Sequence, residues 1–167
     1  VDAGERVLLD TRGVGRVESP SQLTDVLDGR PVFVHLDLDV LDPTVLPGFV
    51  AVVDGERAGL ATYAVRGDEC ELVTIDSLRE GIGVGRALLD AVREAAVAAG
   101  CRRLWLVTTN DNLRALEVYQ RWGMNLVAFR KDAVTEARKH LKPSIAELAE
   151  NGIPIKHELE LELLLDH

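Results

Sequence analysis

Cysteine is scarce in this chain. Its two copies in 167 residues, Cys70 and Cys101, are too few for a disulfide framework. Both are expected to be reduced thiols, buried or half-buried, as in a cytoplasmic protein. Histidine is sparse as well: His35, His140, His157 and His167 are scattered and form no ligand cluster. No apolar run approaches the roughly 20 residues that span a bilayer, and no signal peptide opens the chain. Basic residues are outnumbered, 19 Lys and Arg against 28 Asp and Glu, for a net charge of −9. That balance argues against nucleic acid and anionic membrane as partners. It says little about a phosphate-bearing cofactor, because a local loop of backbone amides binds phosphate on an acidic protein too. The first residue is Val1 and not Met, as expected of a fragment or a chain trimmed at its start.

What is present is a globular composition, 47% hydrophobic and 28% charged, with length for one domain and its own core. Arg6 to Leu9 is an expected strand, and Pro20 to about Leu27 a short helix with Ser19 as N-cap. Residues 32–41 are apolar and β-branched, a strand that puts His35, Asp37 and Asp39 on one face. From Phe49 the pattern becomes a meander: Phe49 to Val53, a hairpin turn at Asp54-Gly55, Ala58 to Val65, then Glu69 to Ile75. Alternation along this last strand puts Glu69, Glu71, Val73 and Ile75 on one face, and Cys70, Leu72 and Thr74 on the other. A helix from Arg86 to Ala99 buries Ala87, Leu88, Val92, Ala95 and Ala99, and stops at Gly100. Arg103 to Thr108 is a central strand. Asn112 to Trp122 is a second helix, with Leu113, Leu116, Tyr119 and Trp122 facing inward and both Trp105 and Trp122 in the core. A strand at 126–129, a helix at 132–141, a loop and an alternating edge strand at 155–164 complete the chain.

Between the third meander strand and the first long helix lies Glu80-Gly-Ile-Gly-Val-Gly85. Strand, glycine loop and helix start present N–H groups to a phosphate. Two well-known glycine loops are excluded. A dinucleotide fingerprint should open a parallel βαβ unit, with an acid closing the next strand. Here an antiparallel meander precedes the loop, and no such acid follows Val107. A Walker loop needs Gly-Lys-Ser or Gly-Lys-Thr, which the chain lacks.

Two families are resembled. Val34-His-Leu-Asp-Leu-Asp-Val-Leu-Asp-Pro43, with Pro47-Gly48 after it, resembles a metal-binding segment of the arginase and agmatinase family, over about residues 19–48. In that resemblance Asp37 and Asp39 would hold manganese. The family's further His and Asp ligand motifs are missing, so no bound metal is expected and the acids are read as a solvated strand end. The block from Val50 to Phe129 resembles the GNAT N-acetyltransferase superfamily. Gly83-Val-Gly85-Arg86-Ala-Leu-Leu89 matches its pyrophosphate motif, and Asn112-x-x-Ala115-x-x-x-Tyr119-x-x-x-Gly123-Met124 the second half of its signature. One departure is Glu80, where the family often has Arg or Gln; Arg86 is the expected substitute charge.

The second resemblance implies an α/β (α+β) fold: a mixed, mainly antiparallel sheet of six or seven strands with a splayed centre and helices on both faces. It implies acetyl-CoA as cofactor, held by Val73 and Ile75 along the pantetheine arm, by the amides of Gly81, Ile82, Gly83, Val84, Gly85 and Arg86 at the pyrophosphate, and by Asn112. It implies a small-molecule or peptide primary amine as acceptor and Tyr119 as general acid for the leaving thiolate; Glu71, on the face of Val73 and Ile75 by alternation, is the candidate base, directly or through water. A single domain is expected: an atypical segment 1–48 marking a fusion or chimera, a cofactor-binding core 49–130, and a closing region 131–167. In that last region Arg138, Lys139 and Lys142 would line the acceptor side or a homodimer face. The competing readings are a non-catalytic module of the same fold and a fragment of a manganese ureohydrolase fusion.

Overall fold

The computed structural model describes residues 32–37, 46–79 and 81–166, with residues 32–37 described by their backbone. The strand at Arg6, the helix at Pro20, Asp39 and Glu80 lie outside these residues. The elements are β1 (Val32–Asp37), β2 (Gly48–Val53), β3 (Glu56–Arg66), β4 (Glu69–Ser77), α1 (Val84–Ala98), β5 (Arg103–Thr109), α2 (Leu113–Trp122), β6 (Asn125–Arg130), α3 (Ala133–His140) and β7 (Glu158–Leu164). The strands form one seven-stranded sheet in the order β1-β2-β3-β4-β5-β7-β6. Only β4 and β5 run parallel; every other neighbouring pair is antiparallel. The meander, the two helix starts and the mainly antiparallel sheet are as expected. At the β2–β3 turn Asp54 and Gly55 both take positive φ, 53° and 79°, the backbone a two-residue type I′ hairpin requires.

The core lies between the sheet and α1. Val84, Ala87, Leu88, Leu89, Ala91, Val92 and Ala96 are buried on the helix. They meet Cys70 and Leu72 of β4, Leu104 and Leu106 of β5, and Leu161 of β7. Each such leucine contributes roughly 1.5–3 kcal/mol by leaving water. Ala99, expected inside, is exposed because α1 ends before it. Helix and sheet approach closely at Gly59. A Cβ there would stand 2.5 Å from the Asp76 carbonyl oxygen and 2.8 Å from Val84 Cγ1. Helix α2 lies on the α1 side, where Trp122 Nε1 donates to Asp90 Oδ1 at 2.9 Å. Trp122 is therefore half-buried with its N–H used. Leu113, expected inward, is 55% exposed, because it occupies the first turn of α2, beyond the sheet.

Two sequence expectations fail for identifiable reasons. The first concerns β7, read as an edge strand. It runs between β5 and β6, and β6 is the edge. Leu161, opposite Leu106, is fully buried and Leu163 packs against the core, while Leu164 at the strand's end is exposed. Its glutamates face arginines: Arg103 reaches Glu160 and Glu162 at 2.5 Å and Glu69 at 3.3 Å, and Arg130 also pairs with Glu160. Trp105 lies on this outer face, beneath the Arg103 guanidinium, and not in the core. Burial works against the charged Glu160, but its hydrogen bonds to Arg103 and Arg130 outweigh it and lower the pKa.

The second failure is the strict alternation of β4. Thr62 pairs with Thr74 and Tyr63 with Leu72, so Val73 has no residue opposite it and forms a bulge. Directly opposite residues share a face. Glu71, opposite Ala64, is therefore on the face of Thr74, opposite Thr62. Ile75, opposite Ala61, is on the inner face with Leu72. Glu71 and Ile75 do not share a face, as simple period-two counting had them do.

Two measurements check this packing. Gly59→Ala should lower the unfolding free energy in urea by about 1–3 kcal/mol, because a methyl against backbone cannot be relieved by a rotamer change. Alkaline pH should also weaken the fold. Burial pushes the Cys70 thiol up from 9.0 to about 12, with Cys101 and Glu71 adding to the shift. Burial raises Tyr63, with Cys70 adding, and it raises Tyr119. The unfolded chain loses these protons first, so stability is full below pH 9 and falls as pH rises toward about 12. Cys70→Ala, though less stable overall, should show a shallower alkaline decline; an equal decline would mean other groups govern it.

Candidate active site

Parallel strands β4 and β5 pair only over Glu69–Glu71 and Arg103–Trp105. Beyond that point β4 stays with β3 to Ser77, while β5 stays with β7 to Thr109. The sheet therefore splays at its centre, and the facing edges of the two strands are left without each other's hydrogen bonds. The Val73 bulge sits where the parting begins, since a bulge bends its strand and raises its twist. Val73 is 42% exposed, and Ile75 half-buried against the core. An extended chain carrying amide groups could pair with the open edge of β4 as a strand would.

At the far end of that edge stands the glycine loop. Gly81 and Gly83 take φ of 77° and 78°, a conformation that costs other residues strain. Gly83 is the N-cap of α1 and, having no side chain, caps nothing. The first helical bond runs from the Ala87 N–H to the Gly83 carbonyl at 3.0 Å. The N–H groups of Val84, Gly85 and Arg86 precede that bond, and the first turn of α1 holds no acid. Aligned donors at the positive end of a 15-residue helix form a site for an anion. Ile82 packs on the core and Val84 is fully enclosed, which pins the loop from below. At Gly85 a Cβ would meet nothing within 4 Å. The Arg86 side chain is 68% exposed and stands 3.9 Å from Asp90, one turn further along the helix.

The remaining candidates surround the parting. Asn112 is at the N-cap position of α2 but makes no capping bond. Its Nδ2 donates instead to Thr108 Oγ1 at 3.2 Å, so the helix cap does not account for the side chain. Tyr119 is 7% exposed on the inner face. Its backbone carbonyl accepts the N–H groups of Gly123 and Met124, which close α2. Glu71 is on the outer face, at the last paired position before the splay, opposite Trp105. Its side chain is 25% exposed and lies 3.8 Å from Arg66. Tyr119 and Glu71 therefore stand on opposite sides of the sheet.

Sequence reading missed the turn before α2. Asn110 and Asn151 bind this turn to the 131–157 connection. A sign was present in Asn110-Asp111-Asn112, a run of turn-formers longer than one cap needs. Of the basic residues expected at an acceptor or dimer face, Arg138 is used internally, donating to the Ile145, Ala146 and Ile155 carbonyls at 2.7–2.8 Å. Lys139 pairs with Glu136 at 2.8 Å. Asp37 ends β1 opposite Gly48; among the described residues no group of three or more His, Cys, Asp and Glu could hold a metal ion. No described helix is long and apolar enough to cross a membrane.

Comparison with known proteins agrees with this geometry. The chain is similar to the uncharacterized protein YdhI of Bacillus subtilis (strain 168), 45% identical over 122 residues that cover 72% of this chain and 76% of that one. A shorter match, 40% identical over 60 residues, joins 33% of this chain to 22% of the N(omega)-hydroxy-L-arginine amidinohydrolase of Streptomyces lavendulae; it is consistent with the ureohydrolase-like segment. Among solved structures, an IAA acetyltransferase from Bacillus cereus ATCC 14579 superposes with a TM-score of 0.67 at 21% identity, covering 80% of this chain and 99% of that one. A GNAT family acetyltransferase from Elizabethkingia anophelis with acetyl-CoA bound gives 0.66 at 18% identity, covering 80% of this chain and 98% of that one. At these identities the likeness is one of fold. The acetyltransferase (GNAT) family profile matches residues 20–124, from before β1 through the glycine loop to Met124, and the chain belongs to that family.

Proposed function

We propose that this protein transfers the acetyl group of acetyl-CoA to a primary amine by direct attack. The observation that carries the reading is the splayed β4–β5 edge ending at uncapped helix amides. One continuous track thus offers strand-like pairing to an amide-bearing arm and donors to a pyrophosphate. The pyrophosphate is assigned to the amides of Gly81 to Arg86, the pantetheine arm to Val73, Ile75 and Asn112, and the thioester to the start of the parting. The neighbour solved with acetyl-CoA bound supports the choice of cofactor.

The amine approaches from the outer face, where Glu71 takes its proton directly or through water. Its lone pair forms the C–N bond, and an N–H of the bulged strand near Val73 stabilises the oxyanion. Collapse breaks the C–S bond, and the thiolate takes a proton from Tyr119 on the inner face. Burial raises the Tyr119 pKa above 10.0, which keeps the hydroxyl protonated at neutral pH, as a general acid requires. We place the reaction in the cytoplasm, where Cys70 and Cys101, both free and buried, stay reduced. The segment 19–48 is read as a ureohydrolase-like start fused to the cofactor-binding core, and acceptor choice is assigned to the outer face rather than carried over from relatives.

Calorimetric titration with acetyl-CoA should give one site. Gly85→Leu tests its place: a Cβ there meets nothing within 4 Å and leucine favours helix, so the fold should hold while affinity falls at least about tenfold by blocking the amides. Undiminished affinity would remove the loop from the site. With an amine panel followed by thiol release, Tyr119→Phe should cut turnover about 10²-fold or more and leave cofactor affinity nearly unchanged. Undiminished turnover would dismiss Tyr119 as the acid. Binding without turnover of any amine would favour the non-catalytic module.

A further inference from the structure

The turn that starts α2 is held from outside the helix. Asn110 supplies most of the grip. Its backbone N–H donates to the His157 carbonyl at 3.1 Å, and its Nδ2 donates to the Pro154 carbonyl at 2.9 Å. Its Oδ1 accepts the N–H groups of Lys156 and His157, both at 2.9 Å. One residue on, the Asp111 carbonyl accepts Asn151 Nδ2 at 2.8 Å. The segment that grips the turn is itself braced. Arg138 ties the Ile145, Ala146 and Ile155 carbonyls together, and His157 Nδ1 accepts the Asp132 N–H at 2.9 Å. The connection 131–157 is thus a built platform, and Asn110 is its junction with the end of β5.

The helix could have been started more simply. An asparagine at the N-cap ordinarily accepts an N–H of the first turn, yet Asn112 turns its amide to Thr108 and leaves that turn uncapped. The platform holds the turn just before the helix, at Asn110 and Asp111, and leaves the Asn112 side chain on Thr108 near the end of β5. Tyr119 needs no such support, because it is enclosed in the core.

We propose that Asn110 is a positioning residue for cofactor binding: by locking the β5–α2 turn to the 131–157 platform, it fixes Asn112 beside the acetyl-CoA arm without touching the cofactor. The proposal rests on the acetyl-CoA reading above. It is tested in the full chain with Asn110→Ala, Asn110→Asp and Arg138→Ala, each followed by thermal unfolding, backbone amide hydrogen exchange and acetyl-CoA calorimetry. Asn110→Ala should speed exchange at Leu113 to Leu116 and weaken acetyl-CoA about tenfold. Asn110→Asp keeps the acceptor for Lys156 and His157 but loses the donor to Pro154, and should recover part of both effects. Arg138→Ala removes the ties to the Ile145, Ala146 and Ile155 carbonyls but leaves every Asn110 bond in place; it should lower the melting temperature yet change affinity by less than about threefold. Unchanged affinity and exchange in Asn110→Ala would overturn the proposal. So would equal weakening by Arg138→Ala, since the effect would then be general loosening. If the parent chain binds no acetyl-CoA, the proposed function fails; the exchange at Leu113 to Leu116 in the free chain then decides whether Asn110 holds the turn, faster exchange supporting it and unchanged exchange overturning it.

Discussion

A sheet made of hydrogen-bonded strands has no room for a ligand between two of its central members unless the pairing is deliberately given up. Here it is given up after Glu71 and Trp105. The extra residue at Val73 lets β4 follow β3 away from β5, and each strand keeps its other partner. Every unpaired backbone group on the two facing edges would carry a penalty if buried and left dry. The parting is therefore suited to a chain that brings its own amides. The glycine loop stands at the end of the same edge with uncapped donors of a second kind. The two features answer to one elongated molecule with amides along its length and phosphates at one end.

The parting also demands that the rest of the sheet hold without it. On the β5 side this work falls to β7. Its Leu161 and Leu163 join the core, while its glutamates engage Arg103 and Arg130 on the outer face. Neighbouring carboxylates at one strand face would repel one another, and the arginines convert that repulsion into cross-strand ties. Such partly buried pairs add modestly to net stability but are costly to break from one side. On the β4 side, α1 lies against β3 at a contact that only glycine permits, at Gly59. Core and ion network together brace both halves, so the seam stays open without loosening the molecule.

Much of this was legible in the residues. Period and caps placed α1 and α2 within two residues, because an apolar face and a terminal glycine act locally. The glycine loop was legible because positive φ leaves a compositional trace. The bulge was not: Leu72-Val-Thr-Ile75 alternates well, and the slip arises from pairing with β3, which no local pattern records. The place of β7 was hidden for a related reason. An alternating Glu-Leu strand reads alike at an edge facing water and at a centre facing arginine, and Arg103 lies far away in sequence. Asn110 escaped because its partners, 44 to 47 residues on, become neighbours only in the fold. Tyr119 and Glu71 were singled out through the family signature and face counting, and the bulge removed part of the second argument.

The central claim is that one occupant spans the parting and the helix amides together. A backbone amide chemical-shift titration with acetyl-CoA tests it most directly. The largest shifts, saturating with a single affinity, should fall on Val73 to Ile75 and on Gly81 to Arg86, with smaller ones along Leu106 to Thr109. Shifts gathered elsewhere, with both of those segments unmoved at saturation, would contradict it.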